Sequence, residues 1–291
     1  MLRSRRVAFV CSFIKVSFMG FGLLLKSVLV ALLVVPSLAF AVGKCERLVA
    51  TGAADNPPFL WRDPLNPQRL MGANAELLKQ IGKSLGVKIE LLYSGDASKA
   101  LDEVRSGRVD ILADARLVTQ RLDEMDFVHP SIASLQTVAW VRNEPGFFYA
   151  AREDLAGHDG RFVSTSRFGR EFDAFARQRL TLQPVASLSQ AMEQLVTGKT
   201  DYVLHERYSA LAGMGALAIL DKVQRLEPPV LSHEIHLAIS HNSACNDAWL
   251  RGQLALKMTE LRAAGVPEQL LASNLERWKL QQVGTAKASP Q

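Results

Sequence analysis

No acidic residue occurs in the first 41 positions, which carry Arg3, Arg5, Arg6, Lys15 and Lys26. Those five cations account for the whole formal net charge of +5, so the rest of the chain is neutral. Without a surplus of positive charge there, a nucleic-acid partner is excluded, because such proteins need clustered cations to neutralise phosphates. Also missing are a Ser/His/Asp order, metal-ligand spacing and a Gly-rich phosphate loop, which removes the common nucleophilic, metal and phosphate-cradling chemistries. His233, His236 and His241 are close in sequence, but residues three apart on a strand point to opposite faces. No metal and no cofactor are therefore expected. Beyond residue 41 there is no low-complexity linker and no apolar run long enough to span a membrane.

The leader itself has basic flanks, an apolar run over 28–35, Pro36, and Ala39-Phe40-Ala41 as a cleavage pattern. It reads as a secretory signal over residues 1–41, with Met19 as an alternative start and an uncleaved membrane anchor as the other reading. Lys44 before Cys45 argues against a lipid-modified cysteine, which would follow small residues. Export places the mature chain in an oxidising compartment. Its two cysteines, Cys45 and Cys245, then fit one disulfide within the first lobe, two free thiols being the alternative.

The stretch from Ser106 to Pro130, SGRVDILADARLVTQRLDEMDFVHP, organises the remainder, and part of it occurs twice. AxxxVRSGRVDILAD from Ala100 and AxxxLVTGKTDYVLH from Ala191 share an Ala, an apolar residue, a Gly and an Asp at equal spacing. Each reads as helix, Gly cap, tight turn and strand. The repetition implies two similar α/β lobes, with Gly107/Asp110 and Gly198/Asp201 at equivalent places and their strands in separate sheets. Ligands of open α/β sheets bind beyond the carboxyl ends of the strands, so the two copies point to one cleft.

Periodicity predicts strands near 47–51, 87–93, 109–113, 137–142, 161–164, 182–185, 202–204 and 235–239. Between them lie helices, one capped by Asn74 and stopped by Gly86, another capped by Ser187 with Gln190 completing a capping box. A final long helix carries Leu250, Leu254, Met258 and Leu261 on one face. Phe59 and Trp61 should pack beneath the Pro-rich loop that follows Gly52. Crossings near Asn143-Glu144-Pro145-Gly146 and Pro228-Pro229 divide the chain into a first lobe of 46–141 plus 233–278, a second lobe of 142–232, and a C-terminal tail of 279–291.

At this point the chain resembles the extracytoplasmic solute-binding proteins of family 3, which include periplasmic amino-acid-binding components of ABC importers. NPPFLW, MGANAELLKQIGKSLGV, SGRVDI, QRLDEMDFVHP and TGKTDYVLHE carry the resemblance by their order and spacing, over nearly all of the mature chain. It implies a type II clam-shell with a ligand cleft between lobes, a periplasmic location, a monomer, a small-molecule ligand that is an amino acid or related carboxylate, and an inner-membrane permease as partner. By the same resemblance Arg121 clamps a ligand carboxylate, Glu206 with His205 beside it meets a ligand ammonium across the cleft, and Gly169 lies in a second-lobe loop that approaches the ligand. The plainer alternatives are a surface ion pair of Arg121 with Asp123 or Glu124, and Glu206 as a helix-entry carboxylate. Asn56 stands where the family has an aromatic lid, and Ser94, beside Tyr93, where it has a second aromatic. Asp114 and Arg116 replace a small residue and a Thr or Ser, giving a more charged cleft. The function implied is binding rather than catalysis. A periplasmic cyclohexadienyl dehydratase-like enzyme using Glu206 or Asp114 as acid, and a sensor lobe, are the alternatives.

Overall fold

Strand and helix alternate after an opening run of four short strands. β1 (Arg47–Thr51) is followed by a small antiparallel sheet of β2 (Asp55–Asn56), β3 (Leu60–Arg62) and β4 (Leu70–Met71). Then come α1 (Ala73–Leu85), β5 (Lys88–Leu91), α2 (Ala97–Arg105), β6 (Ile111–Arg116), a 3-10 turn at Thr119–Arg121, β7 (Met125–Phe127) and the long β8 (Ala133–Arg142). The succession restarts with β9 (Asp159–Val163), α3 (Arg170–Arg179), β10 (Thr181–Val185), α4 (Leu188–Val196), β11 (Tyr202–Glu206), α5 (Arg207–Leu217) and β12 (Val223–Arg225). The long β13 (Leu231–Ser240) leads to α6 (Ala248–Ala263) and α7 (Val266–Ala288). The computed structural model describes residues 45–288 apart from 145, so the expected signal over 1–41 lies outside the described residues. Among the described residues no helix is long and apolar enough to cross a membrane.

Local chemistry explains the helix ends. Gly86 closes α1 with a positive φ of 69°, as expected of a residue without a Cβ. Asn74 is not the cap: Gly72 precedes the helix, and Asn74 lies buried in its first turn. A buried amide needs a partner. Asn74 donates to the Ala113 carbonyl at 2.8 Å and so ties α1 to β6. Ser187 caps α4 by accepting from Gln190 N at 3.2 Å, while the Gln190 side chain reaches back to Ala186 N at 3.0 Å.

The main sheet has the order β10-β9-β11-β8-β13-β6-β1-β5, with β12 beside β8 and β7 beside β13. β1 is parallel to β5 and β6, and β9 is parallel to β10 and β11. β8 and β13 pair antiparallel over 133–137 and 231–235. Beyond that overlap, 137–142 of β8 joins β11 and β12, whereas 235–240 of β13 joins β6 and β7. The strands β6 and β11 of the two repeats therefore do not lie in separate sheets. One hydrogen-bonded ladder joins them, because both crossing strands are long enough to pair with each other and with their own lobes.

The lobes separate in their apolar cores instead. Leu48, Leu77, Ile81, Ile111, Leu237 and Leu254 pack on one face of the first lobe, and Val104, Leu112, Met125 and Ala238 on the other. Val138, Trp140, Met192, Leu195 and Val203 cover one face of the second, and Val141, Leu155, Phe168, Phe172 and Tyr202 the other. Each half-sheet is thus buried on both faces, as parallel strands require. The result is a two-lobed α/β clam-shell.

Two further features tie the frame together. Cys45 and Cys245 form a disulfide with Cα atoms 5.7 Å apart, both packed against the first core. Gly265, at φ 67°, breaks the expected single C-terminal helix into α6 and α7. α7 continues to Ala288, so the expected tail from 279 is helical up to that point. It packs on α1 of the first lobe and α5 of the second. Trp61, fully covered like Phe59, meets Trp278 edge-on at 5.6 Å and donates to Gln281 at 3.0 Å.

Candidate functional site

Strand alternation builds one wall of a cavity of about 390 Å³. Leu112, Asp114 and Arg116 sit two apart on β6, share a face, and all line it. After Arg116 the chain enters the 3-10 turn, closed by Arg121 N to Val118 O at 2.9 Å. The turn folds Arg121 back under the strand end, where its Nη1 donates to the Arg116 carbonyl at 3.3 Å and its side chain faces the same cavity. Ala53, Asp55 and Asn56, after the end of β1, complete the first-lobe side. The opposing wall comes from the loop after β9, through Thr165 and Arg167. Both Nη atoms of Arg116 lie 3.4 Å from the Arg167 carbonyl oxygen. Arg167 in turn donates to the carbonyls of Ser164 and Ser166 at 3.1 and 3.0 Å.

The electrostatics are uneven. Asp114 seats its carboxylate against Gly52, where any Cβ would come within 2.8 Å of it, and accepts from Ala53 N at 2.9 Å. Burial pushes the Asp114 carboxyl up from its ordinary range, opposed by that amide and by the Arg121 charge. Burial pulls Arg116 and Arg121 down; the Arg121 charge adds to the effect on Arg116, and Asp114 opposes it on Arg121. An arginine stays charged regardless. Glu124 pairs with Arg105 at 2.7 Å rather than with Arg121. Among the described residues, Arg116, Arg121 and Arg167 have only carbonyl partners and no ion pair.

The structure thus brings Arg121, Asp114, Arg116 and Asn56 to one cavity. Asn56 also accepts from Ser209 Oγ at 2.8 Å, beside an edge-on contact of Phe59 with Tyr208 at 5.8 Å, so the two lobes touch there. Glu206 is not on the cavity wall. It caps α5, accepting from Tyr208 N at 3.0 Å and Ser209 N at 2.7 Å, and burial raises its carboxyl despite those bonds. His205 places Nδ1 3.2 Å from the Glu206 carbonyl, and burial lowers its pKa. Tyr93 lies elsewhere, with the Arg62 guanidinium 4.2 Å over its ring. Gly169 precedes α3 with φ 103° and does not line the cavity. Thr165, Arg167 and Asp55 were not singled out from sequence. The carboxyl-end rule does point to the loop after β9, but nothing in its residue pattern marks Arg167.

A charged cavity between two α/β lobes, reached from the ends of parallel strands, defines a binding protein of the clam-shell class. The family model of the bacterial extracellular solute-binding proteins, family 3, matches residues 48–273, and the chain belongs to that family. Among solved structures, the second substrate-binding domain of a putative amino acid ABC transporter from Streptococcus pneumoniae is similar, with TM-score 0.63 and 20% identity over 78% of this chain and 99% of that one. An amino acid ABC transporter substrate-binding protein from the same species, bound to L-arginine, has TM-score 0.57 and 18% identity over 80% of this chain and 96% of its own. A histidine kinase sensor domain with similarity to periplasmic binding proteins has TM-score 0.56 and 22% identity over 79% and 96%. At such identities the likeness speaks for the fold alone. No curated protein sequence matches the chain.

Proposed function

We propose that the protein captures a small, amino-acid-like carboxylate solute in the periplasm, as a monomer, and presents it to an inner-membrane ABC-type permease. Residues 1–41 direct its export on this reading. One observation carries it: Arg121 and Arg116 face a single cavity between the lobes, and neither forms an ion pair with a carboxylate of the protein. A planar guanidinium matches a carboxylate with two parallel N–H donors, each charge-assisted bond adding about 1.5–3 kcal/mol. Asp114 and Asp55 are the acids on the same wall and would receive an ammonium, whereas the Glu206 oxygens are occupied by helix amides. The lobes pivot where β8 and β13 cross, near 133–137 and 231–235, so closure around a solute couples occupancy to shape.

A thermal-shift screen of amino acids, dicarboxylates and polyamines tests the reading. Carboxylate solutes should raise the melting temperature of the parent and fail to do so with Arg121→Ala. Stabilisation by polyamines alone would count against it. A dehydratase-like reading has one favourable observation, the burial that holds a proton on Asp114 beyond the usual carboxylate range. Turnover of prephenate or arogenate by the parent, lost in Asp114→Asn, would establish that instead.

A further inference from the structure

We infer that α7 is a strap across the two lobes, anchored on the first and resting on the far end of α5 in the second, so that a change in the angle between the lobes must lift it from α5. The inference goes beyond solute capture and concerns how far the lobes are free to move.

The anchor is made of side chains that hold by several kinds of contact. Leu270 and Leu271 are buried in the core of the first lobe. Trp278 meets Trp61 edge-on at 5.6 Å, and Gln281 accepts from Trp61 Nε1 at 3.0 Å while its Nε2 lies 3.7 Å from Met71 Sδ. Arg277 pairs with Glu76 of α1 at 2.6 Å. Trp61, Met71 and Glu76 all belong to the first lobe. Arg277, Trp278 and Gln281 lie past residue 273, where the match to the family model ends, so this part of the anchor is the chain's own addition.

The seat on the second lobe is different. Glycine is unfavourable inside a helix, yet Gly215 stands within α5, and a Cβ there would come within 3.2 Å of the Lys279 side chain. The lysine stem therefore lies on bare α5 backbone, while its ammonium pairs at 2.7 Å with Glu276 of its own helix. A flexible stem on a glycine slides and lifts more readily than stacked rings joined by hydrogen bonds and an ion pair. Its position also gives it leverage. α5 begins beside the pivot, since Arg207 donates to Gln136 of β8 at 3.2 Å. Gly215 lies on the order of 12 Å further along the helix axis. Rotation about the crossing strands moves the start of α5 little and Gly215 more, so a helix fixed to the first lobe opposes that rotation where it bears on Gly215. The solute-free protein is then held near one lobe angle, and other angles are reached only with the strap lifted.

The test measures the distance between nitroxide labels at Ser98→Cys on α2 and Arg170→Cys on α3, by double electron-electron resonance on the mature protein without solute and with its native disulfide intact. Both positions are exposed, one on each lobe, next to the cavity-lining Ala97 and shortly after Arg167. Gly215→Phe drives Lys279 off α5, and Trp278→Ala removes the ring that holds α7 to Trp61. Each should broaden the distance distribution at least about twofold over the parent, because more lobe angles become populated. Leu280→Ala, at a position of α7 that is 73% exposed, should leave the distribution as it is. Cooperative thermal unfolding shows that each variant is folded; if Trp278→Ala is not, Gly215→Phe alone decides. A parent-like distribution in Gly215→Phe overturns the inference, as does equal broadening in Leu280→Ala. Since no solute is present, that failure leaves the carboxylate reading untouched, and the titration of Arg121→Ala decides the latter separately.

Discussion

Asp110 and Asp201 make the same pair of hydrogen bonds in the two lobes. Asp110 accepts from Val49 N at 2.7 Å through its side chain and donates its own N–H to the Val49 carbonyl at 2.9 Å. Asp201 accepts from Asp159 N at 2.9 Å and donates to the Asp159 carbonyl at 2.8 Å. Each aspartate thus bolts the turn after a helix to the neighbouring parallel strand. The glycines three residues earlier match as well, Gly107 with φ 76° and Gly198 with φ 74°.

Substitution should separate the two copies. Gly198 has open space around its missing Cβ, so Gly198→Ala should cost about 1 kcal/mol for the left-handed backbone alone. At Gly107 a Cβ would also run into the Asn242 backbone, so Gly107→Ala should cost clearly more. Urea unfolding midpoints of the two variants check this. Equal losses would mean that the two turns are not distinguished by packing.

What was legible in the sequence follows from the same residues. A Gly and an Asp at fixed spacing report backbone geometry, which is local, so the repeat was readable. Asp114, Arg116 and Arg121 were singled out through the family resemblance, and strand alternation with the turn after β6 explains why they line one cavity. The destination of the Glu206 oxygens was not, since a carboxylate at a strand end can equally cap a helix or face a cavity. Tyr93 was drawn off by Arg62, a neighbour distant in sequence. The continuous ladder was hidden for a similar reason: pairing of β8 with β13 depends on contacts about a hundred residues apart, for which a single strand's pattern has no signal. Arg167 lies in an irregular loop, where no periodicity marks a functional side chain.

Glu206→Ala should remove a helix cap and leave the solute site intact. The expected loss is about 1 kcal/mol of folding stability, with affinity for a bound carboxylate unchanged. Parallel unfolding and titration experiments measure both. A large loss of affinity at unchanged stability would return Glu206 to the site.

Reduction of the Cys45–Cys245 bridge should be costly, because it closes a loop with a sequence separation of 200. The chain-entropy relation puts the loss near about 5 kcal/mol as an upper bound. Comparison of Cys45→Ala/Cys245→Ala with the oxidised parent in denaturant measures it, and an unchanged midpoint would show that the bridge adds nothing.

Asp114 should leave a signature in stability against pH. Burial raises its carboxyl in the folded chain above the ordinary value of 3.8, so the folded state holds a proton that the unfolded chain has released. Between the two values the folded state binds more protons, and stability falls as pH rises. Asp114→Asn removes this titration and can still accept from Ala53 N. The parent should therefore lose stability relative to the variant as pH climbs above about 4. Parallel curves would show that Asp114 ionises normally.

The most direct test of the site is the affinity of the tightest carboxylate solute found by screening, measured by titration calorimetry for the parent and for Arg121→Ala. Loss of two charge-assisted bonds should weaken binding about a hundredfold or more, with the circular dichroism spectrum and disulfide unchanged. An affinity equal to that of the parent would show that Arg121 does not hold the solute and that the site lies elsewhere.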